Sequence, residues 1–158
     1  MKLKSIVMPG TDLNFEKFSK EAHHYINQLA EELGHPEEKN RVLIIWRSVM
    51  HTVRDRIHLG EAFQIIAPLP MIFKGIYVEG WKYTEKPPLK YDSIEEMKEE
   101  VKLRQARNGE EDFPWFLSTE KIILITLNSL CKYLGEKQLR QIADQLPPEI
   151  KEYLCPVE

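Results

Sequence analysis

Val42-Leu43-Ile44-Ile45-Trp46-Arg47-Ser48-Val49-Met50-His51-Thr52-Val53-Arg54-Asp55-Arg56-Ile57 carries the clearest pattern in the chain. Val42, Ile45, Trp46, Val49, Val53 and Ile57 recur at steps that place them on one stripe of an α-helix. The spacing predicts a long helix with that stripe buried. Upstream, Phe15, Phe18, Ala22, Tyr25, Leu29 and Leu33 form a second stripe, with Asn14 placed as N-cap and Gly34 as stop. Pro36 suits the first turn of the helix that follows. Downstream, Gly60 is expected to interrupt the pattern. Ala62, Ile65, Ile66 and Leu69 then make a short helix that Pro70 ends, and Met71 to Trp81 reads as another.

Between Glu79 and Asp92 the character changes. Gly80, Pro87 and Pro88 forbid a continuous helix, so this stretch is a connector. Ser93 with Glu96 is a capping box, opening a helix with Ile94, Met97 and Val101 inward and Asn108-Gly109 at its end. Ser118 caps the next, whose stripe runs through Ile123, Leu127, Leu130 and Leu134 to a stop at Gly135. Leu139, Ile142, Ala143 and Leu146 form a short helix closed by Pro147-Pro148.

The second half of the chain replays the first. At a shift of 77 residues Trp46 falls on Ile123, Met50 on Leu127, Val53 on Leu130 and Ile57 on Leu134. Gln64-Ile65 falls on Gln141-Ile142, and Leu69-Pro70 on Leu146-Pro147. The expected fold class is all-α: two similar multi-helix repeats, residues 13–81 and 93–156, joined by a connector over 82–92 and packed as one bundle-like globule.

Ala22-His23-His24-Tyr25, the block Met50-His51-Thr52-Val53-Arg54-Asp55-Arg56-Ile57, Glu61-Ala62, Leu69-Pro70 and Lys74 to Trp81 together resemble the DUF2267 family. Arg54-Asp55-Arg56 and Glu79-Gly80-Trp81 are the most specific parts, and the resemblance runs from about Phe15 to Pro156. Lys74 stands where the family usually has Arg, and Tyr77-Val78 where an aromatic pair is frequent. The resemblance implies an all-helical bacterial protein of two similar halves. It implies no activity and carries over no catalytic residue.

Composition bounds the rest. The 158 residues are 42% hydrophobic and 30% charged, with net charge −3. That is a globular balance, and it gives no general affinity for nucleic acid. The longest strictly apolar run, Val42 to Trp46, is far short of the roughly 20 residues a membrane span needs. Met1 to Gly10 has too short an apolar stretch for a signal peptide, so the expected location is cytoplasmic. The two cysteines form no CxxC. Cys131 reads as a core thiol, with one disulfide to Cys155 left open.

Three groups could carry chemistry. His51, Asp55 and His58 stand at i, i+4 and i+7, so one helix face could offer them to a metal ion. Against this, Arg54 and Arg56 flank Asp55 and can claim its carboxylate. Arg54, Glu79 and Trp81 could line a ligand pocket; the competing reading makes Trp81 a lid over the junction of the halves, with Arg54 and Asp55 holding the connector. His23 sits at the border of an apolar stripe. The acidic Glu110-Glu111-Asp112 reads as a solvated loop. No phosphate-cradling glycine loop, GxSxG or HExxH occurs. The expectation is therefore a soluble, non-enzymatic binding or assembly module, without cofactor or catalytic residue, its partner open between another protein, its own copies and a class the sequence does not name. The alternative is a metalloprotein or enzyme built on His51, Asp55 and His58.

Overall fold

The computed structural model describes residues 14–82, 87–110 and 112–154, which form eight α-helices and no strand. In chain order they are α1 (Phe15–Glu32), α2 (Lys39–Arg54), α3 (Leu59–Ile66), α4 (Met71–Val78), α5 (Ile94–Arg107), α6 (Thr119–Asn128), α7 (Glu136–Ala143) and α8 (Pro148–Tyr153). The all-helical expectation holds. No helix among the described residues is long and apolar enough to cross a membrane.

Most boundaries follow from local chemistry. The Asn14 side chain accepts from the Lys17 N–H, so it caps α1 as expected. At the other end Gly34 adopts a φ of 82°, and a Cβ there would meet the Phe116 ring at 3.5 Å. Ser93 accepts from the Glu96 N–H at 3.2 Å and donates to the Glu96 carboxylate at 3.0 Å, completing the capping box.

Three boundaries differ from the pattern. Pro36 lies in the turn before α2, whose N-cap is Glu38. The break after α2 comes at Asp55 rather than at Gly60, which lies inside α3. There the Asp55 carbonyl accepts the Leu89 N–H of the connector, at 3.0 Å. Helix α6 stops at Asn128 although its stripe runs on to Leu134. The Ser129 hydroxyl takes the Thr126 carbonyl, and the chain continues in tighter turns such as Leu130 N–H to Leu127 carbonyl.

One hydrophobic core runs through both halves. Trp46, Tyr25, Tyr77, Phe73, Met97 and Ile123 are among its fully buried side chains. Helix α2 packs against α1, α4, α5 and α6. Elsewhere α1 meets α4 and α6, α5 meets α6 and α8, and α3 meets α7. Trp46 stands edge-on to Phe73, and its indole N–H donates to the Tyr25 hydroxyl at 3.0 Å. Burial pushes that phenol up to about 12, so it stays a neutral bonding group. It also bonds Ser129, which ties α1 and α2 to the turn after α6.

Candidate functional site

Arg54 is buried at the end of α2, and its side chain is fully used. Its Nη1 donates to the Tyr77 carbonyl at 2.6 Å and to the Glu79 carbonyl at 2.8 Å. Its Nε and Nη2 donate to the Asp55 carboxylate. Asp55 is bridged a second time by Arg104 of α5, at 2.8 Å. The guanidinium lies over the Trp81 ring, 5.5 Å from its centroid, and Trp81 packs on Tyr77 and Phe63. Arg54, Asp55, Trp81 and the Glu79 main chain therefore meet. The Glu79 carboxylate does not join them; it pairs with Arg47 on the surface.

The same corner fixes the connector. Arg56 donates to the Tyr91 carbonyl, and the buried Tyr91 hydroxyl donates to the Thr52 carbonyl. The hollow between Arg54, Trp81 and Pro88 measures about 10 Å³, which is water-sized. Its dimensions suit a packed joint.

The three metal candidates are spread apart in purpose. His51 bonds the Ile76 carbonyl through Nε2 at 2.7 Å. Burial, and then the Arg54 charge, lower its pKa from 6.5 to about 4, so the ring is neutral at pH 7. Asp55 is committed to two arginines. His58 stands at the N-cap of α3, where its backbone N–H donates to Gln145. Among the described residues no group of three or more His, Cys, Asp or Glu side chains could hold a metal ion. His23 is exposed and lines an apolar groove of about 340 Å³ between α1, α2 and α4, beside Leu43 and Ile72. Cys131 is half-buried and disulfide-bonded, which corrects its reading as a core thiol; Cys155 lies outside the described residues.

A wide cleft lies elsewhere, and the sequence did not point to it. It measures about 710 Å³ and lies between α5 and residues 110 and 112–119. Glu110 lines it, and is not a solvated loop acid: the residue is only 4% exposed. Its Oε2 accepts from Gln105 Nε2 at 2.6 Å and from the Trp115 indole N–H at 2.9 Å. Its Oε1 is buried and has no hydrogen-bond partner among the described residues. A buried acceptor left unpaired costs about 1–3 kcal/mol, so the arrangement calls for a donor.

The cleft wall is held from behind. The Phe116 N–H donates to His35 Nε2 at 2.9 Å, His35 packs edge-on to Phe113 and Trp115, and Arg41 lies 4.3 Å from the Phe113 centroid. These contacts join the α1–α2 turn to the segment after α5, a long-range pairing that no local motif announces.

These features define an all-helical protein, with eight helices among the described residues, a densely bonded joint at one corner and an open cleft with a buried acid in its wall. Residues 22–153 match the family model described as an uncharacterized conserved protein, DUF2267. The chain belongs to that family. No curated protein matches it.

Proposed function

We propose that this protein is a non-enzymatic helical binding module whose ligand enters the cleft between α5 and residues 110 and 112–119. One observation carries the reading: the unpartnered Oε1 of buried Glu110 in a cleft of about 710 Å³. That volume lies in the range of small-molecule sites, and Phe113, Pro114, Trp115 and Leu117 supply apolar wall beside the acid. Arg54, Glu79 and Trp81 are then structural. Their bonds to main-chain carbonyls and the water-sized hollow beside them support that assignment. The engagement of His51 with the Ile76 carbonyl and of Asp55 with two arginines weighs against the metal or enzyme reading of His51, Asp55 and His58.

The module is built from a duplicated four-helix unit. Two parallels support this. Helix lengths run 18, 16, 8 and 8 residues and then 14, 10, 8 and 6. Exchanging α1–α4 with α5–α8 also turns the pairs α1·α2, α1·α4 and α2·α5 into the observed α5·α6, α5·α8 and α1·α6. The cleft, by contrast, belongs to the second unit alone. Thermal-shift screening of a diverse small-molecule library tests the binding reading. A true ligand raises the apparent stability by about 2.7 kcal/mol at a hundredfold excess over Kd, and Trp115→Ala abolishes the rise. A library that stabilises neither protein, or both equally, overturns it.

A further inference from the structure

The cleft lining carries both signs of charge, with Glu110 and Asp112 beside two lysines. Lys98 and Lys102 line it from α5, at i and i+4 on one helix face, and Gln105 continues that face at i+7. Among the described residues neither lysine is in an ion pair or side-chain hydrogen bond, whereas Gln105 is engaged in holding Glu110. At 1.5 Å rise per residue, Gln105 stands about 4.5 Å along the axis from Lys102 and about 10 Å from Lys98. A ligand with a donor head at Glu110 and an acid head at the lysines would therefore be small. Beside these groups, Trp115 and Phe113 offer flat apolar surface.

We propose that the cleft binds an amino-acid-like zwitterion, with its ammonium on Glu110 Oε1, its acid group toward Lys98 and Lys102, and its body against Trp115. The inference rests on the binding reading above and adds the ligand class. An ammonium supplies the missing donor and compensates the acid in one step. A neutral hydroxyl would supply the donor but not the charge. A simple carboxylate would engage the lysines and leave Oε1 bare.

The test uses the full chain and three sets of probes: free amino acids and dipeptides, primary alkylamines, and simple carboxylates. Binding is read by calorimetry and by Trp fluorescence, with circular dichroism as the check on folding. At least one zwitterion should bind with Kd at or below about 1 mM, and at least about tenfold more tightly than its matched amine or acid. Glu110→Gln, which keeps the size and the acceptor for Trp115, should weaken it at least about tenfold. The double variant Lys98→Ala/Lys102→Ala should do the same, and its half-buried and exposed positions keep the test open if Glu110→Gln does not fold. Amines that bind as tightly as zwitterions would sink the zwitterion while leaving the binding module standing. Carboxylates that bind equally well would remove Glu110 from the site. No saturable binding by any probe, with the library screen positive, means the ligand is of another class. If that screen is also blank, Oε1 is served by water and both readings fall.

Discussion

Helices α2 and α6 pack against each other, yet their interiors are different. Besides its apolar stripe, α2 buries Ser48, His51, Thr52 and Arg54, with Asp55 just beyond. Helix α6 buries a single polar side chain, Thr126, which bonds back to the Ile122 carbonyl of its own helix. In α2 the reach is outward: His51 to Ile76, Arg54 to Tyr77 and Glu79, Asp55 to Arg104. At the sequence positions that correspond to Arg54 and Asp55, the second half has Cys131 and exposed Lys132. The contrast separates two jobs. Apolar stripes bring helices together in both halves. Buried polar side chains on α2 then fix where α4, α5 and the connector sit, because each unpaired bond there would be costly.

The largest effect should come from the apolar job. Trp46→Ala should cost about 3–5 kcal/mol in denaturant unfolding, against about 2–3 for Ile123→Ala at the corresponding place on α6. A Trp46 variant no weaker than the Ile123 one would break the idea that α2 is the central member. The polar job should show in pH dependence. His51 titrates at about 4 in the folded chain and at 6.5 unfolded. The unfolded state thus binds more protons across that window, and stability falls as pH drops from 6.5 toward 4, by up to about 3 kcal/mol. His51→Gln should flatten the slope, as followed by midpoints across that range. An equal slope in both proteins would remove His51 from the account.

Arg54→Ala should cost about 1–3 kcal/mol by stranding the Tyr77 and Glu79 carbonyls, while Lys132→Ala stays within about 0.5. Equal costs would erase the difference between the halves. The smallest effect sharpens their likeness instead. Asn14 and Ser93 cap the first helix of each half, so Asn14→Ala and Ser93→Ala should each cost about 1 kcal/mol. A cap that costs nothing would show that its helix end is held by packing alone.

Much of the bundle was legible because helix stripes and caps are local. Asn14, Ser93 and Ser118 needed only their neighbours, and so did the Leu-Pro stops at Leu69-Pro70 and Leu146-Pro147. The ends of α2 and α6 were misjudged because distant groups set them. Asp55 is claimed by Leu89, and Ser129 is shared between Thr126 and Tyr25. The corner of Arg54 and Trp81 could be sensed, since two charged residues beside a buried stripe need partners. The cleft could not. Glu110 looks like any loop acid until Gln105 and Trp115 close over it, and His35, 80 residues from Trp115 in sequence, secures that closure.

The central place of α2 has a kinetic and thermodynamic corollary. Its four neighbours come from both ends of the chain, so neither half can bury its own interior when alone. Unfolding should then be a single cooperative event, with indole fluorescence and helical ellipticity changing together. Two fragments divided within the connector should each be poorly ordered when separate and should regain structure on mixing, with a midpoint that rises with concentration, because the packing of α2 on α5 and α6, of α1 on α6 and of α3 on α7 crosses between them.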